Sequence, residues 1–385
     1  SCLAAADVAC FRFPRRNQSS HFEPNSMRFQ RKAIVLSIDG LGARALGAYG
    51  NSWYETAHFD HLAASGLLIE QLYATDPESI ATLGGACDAL LDQPECEWIL
   101  LTDDREVCEA FRDRVSSATL LQPQSSPEPV VEWTETGLAG FFSAALEAVE
   151  ELQPGQLLLL HTAALTRCWD APLEYREALR DEEDPEPNVS TEPPSVRIRD
   201  DADPDELLAW QINYGAQVKV LDQCLNVLLD LIEELPAEER PLLVVTSPRG
   251  YPLGEHCVVG FAEPMLYDEL LHLPGLVWIP DSQLAAVRAP ELMQVAELFR
   301  LAAAYVQSDV KEFSRFVADP LPAVEQPVVS RAGGWIAIRT PHWKLVSDRE
   351  REELYVKPDD RWEQNDVHDR CRDIVDELRG QLPAR

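Results

Sequence analysis

The chain of 385 residues is predicted to be an α/β protein: a doubly wound, mostly parallel sheet sandwiched by helices, then a small C-terminal subdomain of antiparallel strands plus a helix. Two observations predict this class. Short runs that are apolar on both faces alternate with helical patterns, which is typical of a parallel sheet covered on both sides. Near the C-terminus the alternation stops, and strand-like runs follow one another before a last helical pattern.

Five short apolar runs predict the buried strands, because polar residues do not alternate along them. They are KAIVLSI at 32–38, EWILL at 97–101, GQLLLLH at 155–161, PLLVVTS at 241–247 and GLVWIP at 275–280. The helical patterns between them are FDHLAASG at 59–66, LAGFFSAALEAVEEL at 138–152 and a long segment at 205–235. The long segment repeats apolar residues three and four positions apart, as one buried helix face requires.

The C-terminal subdomain is predicted from WIAIRTPHWKLVS at 335–347 and EELYVKP at 352–358, which have the pattern of an antiparallel hairpin, and from a helix at 366–382. We therefore predict three parts: a poorly ordered leader over 1–30, a main α/β domain over 31–330 and the small subdomain over 331–385.

Charge and composition exclude some function classes. The 66 acids outnumber the 33 bases and give a formal net charge of −33, which repels phosphate backbones and anionic head groups. Neither a nucleic acid nor a membrane is therefore predicted as a partner, and the oligomeric state is left open. The N-terminal stretch has its basic residues after the apolar part, unlike a secretory signal, so a cytoplasmic location is predicted. The nine cysteines form no C-x-x-C pair and are expected to be reduced thiols.

The stretch SIDGLG at 37–42 places an acid where an apolar strand ends and two glycines allow a tight turn. In an open α/β sheet this edge lies in the crevice where ligands bind. Asp39 is therefore predicted to be a metal ligand or a catalytic acid, and the alternative is an N-cap on the following turn. The segment GLGARA at 40–45 also fits a loose dinucleotide fingerprint. A nucleotide-binding oxidoreductase ranks last, because Asp39 would repel the pyrophosphate.

The order of these signals resembles that of the sulfatases of the alkaline phosphatase superfamily. The segment at 33–75 is similar to their start: a strand, an acid, a glycine turn, YGN, and then T-x-x-x-D-x-L-A-x-x-G before the second strand. PLLVVTSPRGYPLGEH at 241–256 is similar to the family's later strand, which reads T-S-D-H-G or the like before L-G-E-H. RTPHWKLV and ELYVKPDDRWEQNDV are similar to its C-terminal hairpin. The resemblance spans about residues 32–375 and implies the sulfatase fold.

For an active member, the resemblance implies a divalent cation, usually calcium, held by two adjacent acids of the first strand and by an acid and an Asn or His of the later one. Such a hard cation takes about six to eight oxygen ligands. Here Asp39 remains, but Gly40 stands for the second acid, and Pro248 and Arg249 stand for the later pair. Two unit charges ~4 Å apart interact by about 4 kcal/mol at an effective dielectric of 20, and the cation carries a double charge. We therefore predict Asp39 to be a remnant metal ligand without a metal, paired instead with Arg249.

The family's nucleophile is a formylglycine made from the Cys or Ser of a C/S-x-P-x-R motif. The matching stretch here is ATDPESIATLGG at 74–85, which puts Ser79 at the nucleophile position without the Pro or the Arg. Cys87 is followed by DALLD and lacks the motif too. The alternative for Ser79 is a helix N-cap, since Asp76, Pro77 and Glu78 also have the pattern of a helix start.

Other features of the resemblance remain. The resemblance implies a catalytic role for His161, which ends its strand, and for His256 in GEH, whereas the alternative for both is a hydrogen bond to loop backbone at the crevice mouth. Lys344 in HWKLV and Arg249 are the candidate substrate-binding residues.

Two functions follow from the resemblance. The first is a sulfatase-like protein with a degenerate catalytic centre, a pseudoenzyme that requires no cofactor and serves a binding role. The second is an active hydrolase of sulfuric or phosphoric esters with a rearranged site that uses Ser79 or Thr82 and Asp39, with Ca²⁺ if the family's metal site is retained. In either case, a small sulfate or phosphate ester is the predicted partner.

Overall fold

The computed structural model describes residues 31–88, 96–199, 201–280, 284–307, 327–348 and 350–382. The leader predicted over 1–30 lies outside the described residues. In chain order the strands are β1 (Ala33–Ile38), β2 (Leu67–Tyr73), β3 (Glu97–Thr102), β4 (Ser117–Leu120), β5 (Gln156–Thr162), β6 (Val196–Arg197), β7 (Leu242–Thr246), β8 (Val258–Val259), β9 (His272–Leu273), β10 (Gly275–Trp278), β11 (Val287–Gln294), β12 (Val328–Ala332), β13 (Trp335–Arg339), β14 (Trp343–Ser347) and β15 (Glu352–Val356).

The α-helices are α1 (Ala57–Ser65), α2 (Ser79–Asp88), α3 (Arg105–Phe111), α4 (Gly137–Glu150), α5 (Ala164–Arg167), α6 (Leu173–Glu177), α7 (Pro204–Glu234), α8 (Asp268–Leu271), α9 (Val295–Gln307) and α10 (Arg372–Gln381). Short 3-10 helices occur at Ala43–Ala45, Gly47–Tyr49, Trp133–Glu135 and Ala237–Glu239. The longest helix, α7, begins where the Asp203 side chain accepts a hydrogen bond from the Asp205 backbone, with Pro204 at the first helical position. Both features are typical helix starts.

The central sheet has the order β11-β2-β10-β7-β1-β5-β3-β4, with β9 paired to β2. Strand β1 lies in its middle and is parallel to both neighbours, β5 and β7. The β3–β5 and β3–β4 pairs are parallel as well, whereas β10 runs antiparallel to β7 and β2. The predicted mostly parallel, doubly wound sheet is therefore confirmed, and Asp39 follows its central strand.

Helices cover both faces of this sheet, which explains why its strands are apolar on both sides. Side chains of α2 and α9, such as Leu83 and Leu298, pack on one face. Side chains of α1, α4 and α7, such as Phe59, Phe141 and Leu221, pack on the other. Burial of one such side chain contributes about 1.5–3 kcal/mol, so these two layers hold the ends of β1, β5 and β7 in fixed positions.

The C-terminal strands β12 to β15 form a separate antiparallel sheet in consecutive order. Its strands and α10 enclose a small apolar core that includes Ile338, Leu345, Leu354, Val375 and Leu378. The predicted C-terminal antiparallel strands and helix are therefore confirmed. The sheet begins at Val328, and the division of the chain at 330/331 stays a prediction.

Two further sequence predictions concern cysteines and membrane spans. The seven cysteines among the described residues are free thiols, and Cys87, Cys96, Cys108 and Cys224 are buried. Throughout the described part of the chain, no helix combines the length and the apolar character that a membrane span requires.

Candidate functional site

The crevice forms where β1, β5 and β7 end side by side. The Asp39 backbone N–H donates to the Thr162 carbonyl at 2.8 Å, which fixes the residue directly after β1 to the end of β5. The Asp39 side chain is 2% exposed. A carboxylate this buried requires a partner for its charge.

Arg249, in the loop after β7, is that partner. Its Nε donates to Asp39 Oδ1 at 2.8 Å and its Nη2 donates to Asp39 Oδ2 at 3.2 Å, so the contact is bidentate. The Arg249 side chain is 15% exposed, and its guanidinium carbon lies 3.7 Å from the centre of the Phe261 ring. Its third nitrogen is 3.8 Å from the carboxylate of Glu78. The predicted Arg249–Asp39 pair is confirmed, and the alternative of Asp39 as an N-cap is wrong because its carboxylate binds the guanidinium.

Gly40, at the position of the family's second acid, is held in a conformation that suits only glycine. Its φ is +91°, and a Cβ atom added there would lie 2.8 Å from Thr166 Cγ2. The Gly40 N–H donates to the Arg249 carbonyl at 3.1 Å, and its own carbonyl accepts from the Tyr214 hydroxyl at 2.8 Å. The backbone at this position is therefore fixed from both sides, and any side chain would be strained.

Restoring the family's acid at this position should therefore destabilise the protein. We expect Gly40→Asp to lower the free energy of unfolding by about 1–3 kcal/mol through backbone strain, with the contact to Thr166 adding to it. Urea denaturation measures the change. The matched control is Gly84→Asp, since a Cβ atom at Gly84 in α2 meets nothing within 4 Å. Equal stability of Gly40→Asp and the wild type would show that the turn is not constrained as described.

The residues at the strand ends do not fit the calcium ion that the fold implies. Both Asp39 oxygens accept from Arg249, whereas Gly40 and Pro248 have no side-chain oxygen to offer. Among the described residues, no group of three or more His, Cys, Asp or Glu side chains is arranged to hold a metal ion. The positive charge beside Asp39 belongs to a guanidinium that donates to both oxygens of the carboxylate.

Ser79, the predicted nucleophile position, is the first residue of α2 and is 6% exposed. Its hydroxyl makes no hydrogen bond to any other described residue. The alternative of Ser79 as an N-cap is therefore wrong, because a cap requires the hydroxyl to accept a backbone N–H. Activation of a serine requires a base within about 2.6–3.2 Å, and the described residues place none there. Thr82 is engaged otherwise, because its hydroxyl donates to the Asp76 carbonyl at 2.8 Å.

His161 lies inside β5 and is fully buried. Its Nδ1 is joined by a 3.2 Å hydrogen bond to the hydroxyl of Ser37, its register partner on β1. Thr246 of β7 is paired with Ser37 on the other side, so three buried polar residues lie in one row behind Asp39. Burial lowers the pKa of His161, and the nearby Asp39 and Asp103 carboxylates offset only part of this effect. The alternative of a hydrogen bond to loop backbone is wrong for His161, and its catalytic role stays a prediction.

His256 lies in the loop after β7 and binds two glutamates. Its Nδ1 is 3.0 Å from Glu269 Oε2 and its Nε2 is 3.1 Å from the Glu363 carbonyl. Burial lowers the pKa of His256, but these two acceptors outweigh the effect and raise the pKa above its usual value. The ring thus links the main domain to the C-terminal subdomain. The alternative of a hydrogen bond to loop backbone is right for Nε2, which binds the Glu363 carbonyl, but not for Nδ1, which binds a side chain. A catalytic role for His256 stays a prediction.

Lys344, the second predicted substrate-binding residue, is 1% exposed and lies in a lysine–carboxylate cluster formed with Asp268, Lys357 and Glu363. Its Nζ is 2.7 Å from Asp268 Oδ1 and 2.8 Å from Glu363 Oε1. Lys357 contacts the same two carboxylates at 2.6 and 2.9 Å. Asp268 belongs to the main domain, Lys344 to β14 of the C-terminal sheet, and Lys357 directly follows β15. The Lys344 amine is therefore committed to holding the two parts together.

A cavity of about 600 Å³ opens beside Arg249, between the loop after β7 and the β12–β13 hairpin. Its walls are largely apolar and include Phe261, Met265, Leu270, Trp335 and Ile336. Its charged lining residues are Asp76, Glu78, Arg249, Glu263 and Arg331. A cavity of this size and composition is typical of a small-molecule site.

Sequence reasoning found Arg249 but missed most of this lining. Outside the cavity, Ser37 and Thr246 in the polar row with His161 had a signal, because each is a polar residue inside an otherwise apolar strand. Phe261 and Trp335 had none, since their contact with the crevice depends on loop and hairpin packing.

Solved structures share this architecture. A protein solved with its substrate D-glucosamine-2-N,6-O-disulfate superposes with a TM-score of 0.72 at 13% identity, over 91% of this chain and 96% of that one. A 2-O GAG sulfatase gives a TM-score of 0.67 at 14% identity over 91% and 90% of the two chains. The chain has the sulfatase fold. The phosphonate monoester hydrolase of Agrobacterium radiobacter shares this fold, with a TM-score of 0.67 at 13% identity over 91% of this chain and 96% of that one.

No family model matches the sequence, and no curated protein matches it either. At 12–15% identity the solved structures establish the sulfatase fold but not the chemistry. Function has therefore to be inferred from the crevice itself.

Proposed function

We propose that the protein is a degenerate member of the sulfatase fold that binds a small molecule in its crevice without hydrolysing an ester. The observation that carries this proposal is the bidentate Arg249–Asp39 contact, at 2.8 and 3.2 Å, where the fold implies a metal-binding acid. A metal would have to displace a guanidinium from a carboxylate that is 2% exposed. That exchange would leave the guanidinium within a few ångströms of a doubly charged ion, which is strongly repulsive in a crevice with little water.

The state of the nucleophile position supports the same proposal. A formylglycine requires a motif that Ser79 lacks, and the unmodified hydroxyl has no base beside it among the described residues. His161, the nearest predicted catalytic base along the sheet, is joined through its Nδ1 to Ser37, and no hydrogen bond connects its ring to the Ser79 hydroxyl among the described residues. Neither residue is arranged to activate the other.

The runner-up hypothesis is an active hydrolase of sulfuric or phosphoric esters with a rearranged site. Arg331 at the cavity rim is the feature that favours it, because an exposed guanidinium can bind a sulfate or phosphate oxygen. Hydrolysis would still require a nucleophile, and the described geometry of Ser79 and Thr82 offers none that is activated.

Turnover of three generic esters tests the proposal: 4-nitrophenyl sulfate, 4-nitrophenyl phosphate and 4-nitrophenyl phenylphosphonate, each with and without added Ca²⁺. We expect the wild type, Ser79→Ala and Asp39→Asn to hydrolyse each ester no faster than buffer alone. Metal-dependent turnover that is lost in both variants would contradict the proposal and support the runner-up. Circular dichroism of each variant ensures that a lost signal is not an unfolded protein.

A further inference from the structure

The cavity beside Arg249 has lining carboxylates that favour a positively charged ligand, whereas an anion-binding site requires free positive charges. Arg249 is neutralised by Asp39 and stacks its guanidinium on Phe261, so its charge is not available to a ligand. Glu263 is paired in turn with Arg197. These two pairs cancel, and the remaining charged groups of the lining decide which ligand is attracted.

Those remaining groups are two carboxylates and one guanidinium. One oxygen of Asp76 accepts the Glu78 backbone N–H at 2.8 Å, and no Lys or Arg of the described residues lies within salt-bridge distance of Asp76. Glu78 has only the shared Arg249 at 3.8 Å. Arg331 and Glu78 both lie on the exposed rim, where water screens their charges, so Asp76 is the lining acid that a ligand meets with the least screening. Asp76 is the deeper of the two acids, because Glu78 is 77% exposed.

The walls complement a ligand with an apolar body. Phe261, Met265, Leu270 and Ile336 offer hydrocarbon surface, and Trp335 is partly exposed at the hairpin. An indole ring attracts a cation through its face. A sulfate or phosphate ester would instead bring a negative charge toward Asp76 and Glu78, in a chain whose formal net charge is already −33.

We propose that this cavity binds a hydrophobic organic cation, an ammonium group carried on an apolar body, rather than an anionic ester. The ammonium is placed between Asp76 and Glu78, and the apolar body lies against Phe261 and Trp335. This inference rests on the proposed function, because it requires a crevice that binds without hydrolysing. It replaces the ester that the fold suggests with a ligand of opposite charge.

Three probes that share one apolar body separate the alternatives: 4-phenylbutylammonium, 4-phenylbutanol and 4-phenylbutyl sulfate, titrated by calorimetry at fixed salt. We expect the ammonium to bind about tenfold more tightly than the alcohol, as a charge-assisted hydrogen bond allows, and the sulfate to bind most weakly. Asp76→Asn should remove that tenfold advantage and leave the alcohol unaffected, which also shows that the variant is folded. The matched control is Glu182→Gln, an exposed acid outside the cavity lining.

The inference is overturned if the sulfate binds more tightly than the ammonium, if none of the probes binds, or if Asp76→Asn and Glu182→Gln bind the ammonium equally well. The last result would mean that the ammonium responds only to the overall negative charge. Failure of the proposed function is a separate result, because it appears as ester turnover and not as an order of affinities.

Discussion

Asp39→Ala is expected to lower the free energy of unfolding by about 3–5 kcal/mol, because it leaves Arg249 without its partner in a largely buried position. The reciprocal change, Arg249→Met, should cost a similar amount by leaving the Asp39 carboxylate unpaired. Urea denaturation at neutral pH measures both. The double variant should be closer to the wild type than the sum of the two single changes predicts, because the buried charges then disappear together.

The matched control for this pair is Asp88→Ala. Asp88 forms an ion pair with Arg114 at 2.9 Å, a length similar to that of the Arg249–Asp39 contact. The side chains of Arg114 and Asp88 are 43% and 59% exposed, respectively. Such an exposed pair contributes about 0–1 kcal/mol. A loss for Asp39→Ala no larger than that of the control, or strict additivity of the two single changes, would show that the guanidinium does not serve Asp39 as its permanent partner.

Lys344→Met is expected to have the second large effect, about 3–5 kcal/mol in the free energy of unfolding. It removes one of two lysines that neutralise Asp268 and Glu363, and those carboxylates are nearly inaccessible to water. Because Asp268 belongs to the main domain and Lys344 to β14, the C-terminal sheet should also detach more readily. Limited proteolysis of the variant, compared with the wild type, tests this second consequence.

The pH dependence of this variant adds a signed test. Burial alone would raise the pKa of Asp268, but Lys344 and Lys357 outweigh burial and hold the pKa well below its usual value. The contribution of Asp268 to stability is therefore complete above the unfolded pKa of about 3.9 and is lost as the pH falls through the lower, folded pKa. In Lys344→Met the folded pKa of Asp268 should lie closer to its unfolded value, so the variant, although less stable at neutral pH, should lose less stability than the wild type as the pH falls below about 3.9. Arg351→Met, which removes an exposed charge in the same subdomain, should show the same loss of unfolding free energy at low pH as the wild type.

The sheet was predictable because its strands carry their own signal. AIVLSI, QLLLLHT and LLVVT are apolar on both faces, and a strand of this kind has few stable places outside a covered parallel sheet. The antiparallel direction of β10 relative to β7 was not predictable, because the apolar run GLVW is compatible with a parallel or an antiparallel strand. Strand β11 contains Pro290 and alternates weakly, and it was missed for that reason.

The crevice was predictable only in part. The Arg249–Asp39 contact followed from the family resemblance, which puts both residues at the implied metal position and leaves one acid and one base there. The roles expected for His161 and Lys344 came from the family resemblance. The structure instead places His161 beside Ser37 of β1 and Lys344 in a domain junction, because their partners Ser37, Asp268 and Glu363 are set by packing between distant segments. No local pattern encodes such contacts.

Calcium binding is the most direct test of the claim that a guanidinium has replaced the metal at Asp39. Metal-stripped wild-type protein and Asp39→Asn should both be titrated with Ca²⁺ by calorimetry. The variant is needed for comparison because a chain with a net charge of −33 will bind some cations non-specifically. We predict that the two titrations coincide, because Arg249 already occupies both Asp39 oxygens. One equivalent of Ca²⁺ that binds the wild type tightly and is lost in Asp39→Asn would contradict the claim.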